Sequence, residues 1–551
     1  MPRSDTRPAA YRGPWRRVQG KRRASPRGCR KPFRSLRLLE YRICAPRLSS
    51  LSALRGTFVD RGMGRLRGGK TFEMPTLDWI GKKAVVNHHR EVPFHLLKCD
   101  PSLSVGDAGT GNLLVQGDNL VALKALLPYY AGRVKCICID PPYNTGNENW
   151  VYNDAVNSPE MRNWLGKVVG AEAEDLSRHD KWLCMMYPRL SLLKEFLRQD
   201  GAIFVSIDDV EVAHLRLVMN EVFGPRNFIA NFVWQSKDTP GNNSSGVAET
   251  HNHILAYGRS DEFVPNLLAR SEKQLGTYTN QDGDPRGPWL GTPLTRAEHR
   301  DRDYYAIANL AGREVFPPKG SSWRRPPAKM RELAAQNRIW WGKDGDSDFP
   351  MEKKFLSEVK EGVVNQTWWP YQFAGSTRNA SAELKAIFGG EKAFDTPKPL
   401  QLARVILSMT TDPESIVLDS FAGSGTTGHA VLEMNKADGG NRRFILVEME
   451  KGIAQDVTAQ RLKRVIEGHK DVPGLGGGFR FCRLDQPIFD EAGNIRCDVC
   501  FADLAAHVYF AETGEPMPKR RNGKSALVCT MLRDCRRRWT ARIGSVVDAE
   551  T

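Results

Sequence analysis

Five short apolar runs limit what this chain can fold into more than any other feature: Leu113–Gln116, Val134–Ile139, Ala202–Ile207, Ser415–Leu418 and Phe444–Val447. None alternates polar with apolar residues, so strands built from them have no water-facing side. Stretches with helical spacing of apolar residues lie between and after them: Leu120 to Tyr130, Lys181–Gln199, 399–410, a segment running through Glu433, and 452–467. Buried strands alternating with helices predict an α/β fold, a doubly wound and mostly parallel sheet covered on both faces. Each run is followed by an acidic residue, in order Asp118, Asp140, Asp208, Asp419 and Glu448. In such sheets ligands sit beyond the carboxyl ends of the strands, where these acids stand.

At 551 residues the chain is too long for one ordinary core. No run of about 18 apolar residues occurs, so a membrane span is not expected. The basic N-terminal segment lacks the apolar centre of a secretory signal. Eleven cysteines without framework spacing suit reduced thiols and a cytoplasmic protein. The net charge of +16 misleads until it is located. Residues 1–73 hold 20 basic and 4 acidic residues, and 516–551 hold 9 and 3, which leaves 74–515 mildly acidic. Any nucleic-acid surface must then be a local patch.

Residues 1–73 are rich in Arg, Ser, Gly and Pro and read either as a basic tail or as sequence outside the protein proper. Globular texture begins abruptly at Met74, which we expect to be the start. The α/β texture occupies 74–235 and resumes over 396–470. Between them, 236–395 is rich in Gly, Pro, Asn, Trp and charge and reads as an inserted domain. Residues 471–551 form a C-terminal region whose Arg-rich end reads as a loose tail or an aberrant terminus.

Two motifs carry chemistry. The first is Asp140-Pro141-Pro142-Tyr143, directly after a buried strand. An exocyclic aromatic amine is a poor nucleophile because its lone pair is delocalised into the ring. A carboxylate on Asp140 and the carbonyl of Pro141 can each accept one amine hydrogen and free that lone pair. The prolines remove N–H groups and stiffen the turn. Tyr143 offers a face on which an extruded base can stack, worth about 1–3 kcal/mol. The same four residues also suit plain strand-end punctuation.

The second motif runs from Leu418 to Gly428, a strand, a glycine turn and a helix. Gly423, Gly425 and Gly428 satisfy G-x-G-x-x-G, and Glu448 stands where a ribose-binding acid would lie. Spacing alone fits NAD as well as S-adenosylmethionine. A rigid amine-accepting turn on another strand favours the methyl donor, since a dehydrogenase has no use for it.

Over residues 74–515 the chain resembles the beta-class DNA amino-methyltransferases, in which the catalytic motif precedes the cofactor motif. VQGDNLVALKALLPYYAGRVKCICIDPPYNTG (115–146), FDTPKPLQLARVIL (394–407), VLDSFAGSGTTGHAVLEMN (417–435) and GNRRFILVEME (440–450) are most similar to the modification (Mod) subunit of type III restriction–modification systems. The resemblance implies a Rossmann-like methyltransferase fold with permuted motif order and a target-recognition insert. It implies transfer of a methyl group from S-adenosylmethionine to adenine N6 in double-stranded DNA, by flipping the base out and direct attack. Asp140, Pro141, Pro142 and Tyr143 would be catalytic. Asp118, Lys398, Asp419, Phe421, Gly423, Gly425 and Glu448 would hold the cofactor, Glu448 at the ribose and Lys398 near the methionine end. For Asp118 a contact to the cofactor's adenine and a helix N-cap stand level. A restriction (Res) subunit and a homodimer follow from the resemblance alone.

Other signals are weaker. Cys497 and Cys500, with Cys482 upstream, lack a second ligand pair for zinc. His251 and His253 precede an apolar run and read as structural. Trp323, Trp340, Trp341, Trp368 and Trp369 suit base contacts or the insert's own core equally. Rival functions are cytosine-N4 methylation, methylation of RNA or of a protein amide, a dinucleotide-dependent oxidoreductase, and a catalytically silent DNA-binding protein.

Overall fold

The apolar runs become the middle of one ten-stranded sheet in the computed structural model, which describes residues 76–145, 165–169, 176–240, 246–491 and 493–516. The described residues all belong to one compact unit, Arg65–Thr551. The basic segment 1–73 and the Arg-rich tail beyond 516 lie outside the described residues.

In chain order the strands are β1 (His95–Gly106), β2 (Leu113–Gln116), β3 (Val134–Ile139), β4 (Leu197–Ile207), β5 (Phe228–Trp234), β6 (Asn252–Gly258), β7 (Trp368–Trp369), β8 (Ile416–Asp419), β9 (Arg443–Glu448) and β10 (Gly478–Pro487). Their order across the sheet is β1-β10-β2-β9-β8-β3-β4-β6-β5-β7. From β10 to β4 all neighbours are parallel. Antiparallel pairs flank that block, β1 on β10 and β4 on β6 on β5.

Seven helices matter here: α1 (Asn119–Tyr130), α2 (Arg178–Phe196), α3 (Val212–Phe223), α4 (Thr377–Ile387), α5 (Leu400–Thr410), α6 (Thr426–Asp438) and α7 (Ala459–Glu467). Their starts are chemically marked. Asp118 caps α1 by accepting from Val121 N–H, and Ser177 with Asp180 forms a reciprocal capping box on α2. Pro399 ends the approach to α5, and Gly425, at φ 77°, turns the chain into α6.

The continuous apolar strands are explained by two cores. Ile137, Ile203, Leu418 and Ile445 point into one, with apolar residues of α1, α2 and α3. Cys136, Phe204, Val417 and Leu446 point into the other, with α5, α6 and α7. Helices of the first half therefore cover one face and helices of the second half cover the opposite face. The connection from β8 through α6 leads to β9 on one side. The connection from β3 through α2 leads to β4 on the other. β8 and β3 are thus the topological switch point, where a doubly wound sheet opens a crevice.

The region from 236 to 395 differs from its outline in the sequence. Its residues 252–258 form β6, wholly within the main sheet, and Trp368–Trp369 forms β7 at its edge. The texture changes at 236 because β6 pairs antiparallel with β5 and β4 across a polar loop, not because the chain leaves the sheet. The part with its own small sheets includes an antiparallel trio of Trp289–Pro293, Ile339–Trp340 and Met351–Phe355. Trp323 and Trp341 build that region's core with Leu294, Met330 and Leu333. Trp369 joins the main core, whereas Trp368 is exposed.

The cysteines also depart from the expectation of free thiols. Cys99 and Cys482 stand opposite each other on β1 and β10 and form a disulfide. That removes Cys482 as a partner for Cys497 and Cys500, both of which are exposed. The pairing joins residues far apart in the chain, so local spacing holds no trace of it. Among the described residues no helix is long and apolar enough to cross a membrane.

Phe204 is buried at the sheet's centre and stacks on Phe232, whose ring lies 4.3 Å from that of Trp369. Phe204→Ala should therefore lower unfolding stability by about 3–5 kcal/mol, read as a shift in the denaturant midpoint. A shift near zero would mean that β4 and β5 do not share this core.

Candidate active site

Two turns form the walls of the crevice at the switch point. The first, Asp140 to Tyr143, leaves β3 after Ile139. Trp182 of α2 donates its indole N–H to the Pro142 carbonyl at 2.7 Å. Asn144 follows in the left-handed region, at φ 60°, and donates its amide to Glu211 Oε1 at 2.5 Å. Asn tolerates that backbone better than most residues. The proline turn is thus fastened on either side of Tyr143, at Pro142 and at Asn144, by side chains from elsewhere in the fold.

Lys398 reaches the same turn from the segment before α5, on the far side of the sequence. Its Nζ lies 2.5 Å from Asp140 Oδ2 and 4.9 Å from the centre of the Tyr143 ring. Among the described residues neither Asp140 Oδ1 nor the Tyr143 hydroxyl, both buried, has a hydrogen-bond partner. A buried acceptor left unpaired costs about 1–3 kcal/mol, so the Asp140 oxygen is set up to receive a donor from a ligand. Burial, and then the Asp140 charge, push the Tyr143 hydroxyl well above its usual range, so it stays protonated at neutral pH.

The second turn leaves β8 at Asp419, which is buried. Its Oδ1 accepts from Phe421 N–H at 3.0 Å and its Oδ2 from the Thr427 hydroxyl at 2.6 Å. Glu448, at the end of β9, accepts from Gly423 N–H at 2.9 Å and from Glu450 N–H at 3.0 Å. A Cβ on Gly428 would sit 2.9 Å from Leu446 and 3.0 Å from Leu462, so glycine lets α6 close on the sheet and on α7. Arg461 of α7, fully buried, donates to Thr426 Oγ1 at 2.8 Å and to Glu383 of α4 at 2.8 Å. Thr426 in turn donates to the Lys398 carbonyl at 3.0 Å, which joins the glycine turn to the lysine.

Asp140, Lys398, Asp419, Phe421 and Gly423 line one cavity, with Ser206 of β4. Tyr143 adjoins it through Lys398. Gly425 and Glu448 do not line that cavity; they shape and fasten the turn that does. Asp118 caps α1 beyond β2, and its second oxygen meets the buried Arg189 at 3.1 Å, so the geometry is that of an N-cap. His253 Nε2 lies 2.7 Å from Asp209 Oδ1 and His251 3.7 Å from Oδ2. Sequence reading missed Trp182, Asn144, Glu211 and Arg461. Asn144 directly follows the proline turn, but the others are remote and carry no local signal.

A family profile described as DNA methylase matches residues 134–460. The chain is 33% identical to the type III restriction-modification enzyme StyLTI Mod subunit of Salmonella typhimurium, over 64% of this chain and 54% of that protein. It is 30% identical to the EcoP15I Mod subunit of Escherichia coli, over 72% and 70%. It is also 30% identical to the type II methyltransferase M.KpnI of Klebsiella pneumoniae, over 67% and 91%. The chain thus spans about half the length of the Salmonella subunit.

Burial raises the Asp419 carboxyl to about 7, against the Thr427 hydroxyl and the Phe421 N–H and with the Asp140 charge. An unfolded aspartate titrates near about 3.9. Between those values the folded chain holds a proton that the unfolded chain has released. The stabilising contribution is therefore complete below about pH 4 and is lost as pH rises through 7. Asp419→Asn keeps an acceptor and a donor for the same partners without the titration. The melting temperature of the native chain minus that of Asp419→Asn should fall between pH 5 and 8. A difference independent of pH would refute the assignment.

Proposed function

This chain belongs to the DNA methylase family, and from that premise we propose that it transfers a methyl group from S-adenosylmethionine to the N6 amine of adenine in double-stranded DNA. The observation that carries the reading is the meeting of two turns in one cavity: the amine-accepting turn at Asp140 and the glycine turn at Phe421 and Gly423. The residues present fit both ligands. The unpaired Asp140 Oδ1 asks for a donor of the kind an amine supplies. The glycine turn leaves β8 at the start of α6, where a nucleoside-bearing cofactor is held in such sheets.

In this reading Phe421, Gly423 and Lys398 would hold the cofactor along the cavity, with Asp419 behind the turn and Glu448 fixing it. Bound there, S-adenosylmethionine supplies a methyl group made electrophilic by its sulfonium. The target adenine is flipped from the duplex at a cost of a few kcal/mol, and the Tyr143 ring stacks on it. Asp140 and the Pro141 carbonyl accept its two amine hydrogens and turn the nitrogen lone pair outward. Lys398 keeps its place on Asp140 Oδ2 while the amine donates to Oδ1, and the proton that the amine sheds on methylation passes to the Asp140 carboxylate and on to solvent. Pro142 and Trp182 keep the turn from yielding. Positioning and fixed dipoles supply the rate, with no covalent enzyme intermediate.

The proposal extends to the setting. The small-sheet region around residues 289–355 would read the target sequence, its Lys and Arg residues holding phosphates. A restriction (Res) subunit accompanies the reading, supported by the likeness to proteins named as Mod subunits of restriction-modification enzymes; a homodimer and a cytoplasmic location are proposed with it.

Labelled methyl from S-adenosylmethionine should appear in unmethylated DNA as N6-methyladenine after digestion to nucleosides. Label in N4-methylcytosine instead would overturn the choice of base, and saturable NAD binding would favour the oxidoreductase. Asp140→Ala should reduce transfer by about 10²–10³-fold or more while cofactor binding changes little. Equal loss of both would refute this division of labour.

A further inference from the structure

Glu211 is fully buried, yet among the described residues neither Lys nor Arg is paired with it. Its carboxylate faces two imidazoles. His179, in the first turn of α2, places Nδ1 2.5 Å from Oε1, and His214, in the first turn of α3, places Nδ1 2.8 Å from Oε2. One ligand atom from each residue lies within 4.8 Å of the others. We propose that His179, Glu211 and His214 form a binding site for a divalent transition-metal ion of the zinc class. The site stands apart from the proposed methyl-transfer chemistry and does not depend on it.

Five observations support the assignment. Two neutral nitrogen donors and one carboxylate suit a borderline cation such as Zn²⁺ or Co²⁺ rather than Mg²⁺ or Ca²⁺, which prefer oxygen. The two rings have centroids 5.0 Å apart. Imidazoles that bind one tetrahedral ion at about 2.0–2.1 Å have centroids roughly that far apart. Both present the same nitrogen, Nδ1, toward the carboxylate, and replacing the bridging proton of each by a shared ion needs an opening of under about 1 Å from hydrogen-bond to ligand spacing. The His side chains are 39% and 33% exposed, so the ion has an entry path and solvent can fill its fourth position. Burial of Glu211 without a fixed cation supplies the charge for the ion to neutralise.

The second His-carboxylate group, Asp209 with His251 and His253, is a weaker candidate. Its carboxylate is 47% exposed, and His253 Nδ1 is already engaged by Asn231. It serves as the control. The proposed ion would also be felt at the catalytic turn, because Glu211 Oε1 is the acceptor that holds Asn144, the neighbour of Tyr143.

The test is titration of the full-length chain, in a Cys497→Ser, Cys500→Ser background, with Co²⁺ and then Zn²⁺. One equivalent of Co²⁺ should give visible absorption of a tetrahedral site, and Zn²⁺ should displace it. His179→Ala and His214→Ala should each weaken binding by about tenfold or more, whereas the His251→Ala, His253→Ala pair should leave it unchanged. Melting with a chelator checks that each variant folds, and His179→Gln and His214→Gln replace any that does not. Absence of stoichiometric binding, binding in both single variants as tight as in the chain that keeps His179 and His214, or loss confined to the control pair would each overturn the proposal.

Discussion

The parallel ladder between β3 and β8 sets Val417 opposite Cys136 and Leu418 opposite Ile137, so two strands from opposite ends of the chain finish side by side. Their connections leave on opposite faces and in opposite directions, and the crevice between them cannot be filled by either. Asp140 and the glycine turn owe their proximity to this pairing. So does the ion pair of Lys398 with Asp140, which joins residues 258 apart. Hydrophobic burial on both faces holds the ladder, since Ile137 and Leu418 enter one core while Cys136 and Val417 enter the other.

Around this ladder, buried charge is managed by forked donors. Arg189 is buried and grips Asp118 while donating to the Met185 carbonyl, which holds the start of α1 to α2. Arg461 is buried and spans Thr426 and Glu383, which holds α6, α7 and α4 together behind the glycine turn. A guanidinium suits both tasks because it presents several donors in one plane and stays charged when buried. Asp419 is the opposite case, a carboxyl with no cation in direct contact among the described residues, held by a hydroxyl and a backbone N–H. Its partners satisfy hydrogen bonds without cancelling charge, which is why burial can raise its pKa so far.

Much of this was legible from residue order. The apolar run at 134–139 became a strand with those ends, the run at 444–447 became one longer by a residue at each end, and the helical spacing at Leu120 to Tyr130 and 399–410 returned as α1 and α5 within a residue. Both turns that wall the crevice lie where a strand stops and glycine or proline begins. What stayed hidden was long-range. Glu211 reads as one more acid at a helix entry until the fold brings Asn144, His179 and His214 to it. Trp182 reads as one apolar position in a helix until its N–H meets the Pro142 carbonyl. β6 lay inside a stretch whose flanking Gly, Pro and Asn concealed that its apolar core, Ile254 to Tyr257, fills a place between β4 and β5. The Cys99–Cys482 bridge was invisible for the same reason.

The permuted order of the two motifs has a consequence for how the chain comes to be folded. β3 can pair with β4 early, because α2 is the helix that joins them, and so that half of the sheet has local connectivity. Its other edge must wait for β8, which is made only after the whole intervening region has emerged. Non-local parallel pairing is slow because loop closure is an entropic cost incurred before any contact repays it. During synthesis the unpaired edge of β3, Val-Lys-Cys-Ile-Cys-Ile, is therefore an open template for other strands. The time taken to synthesise the intervening region sets the length of that vulnerable interval.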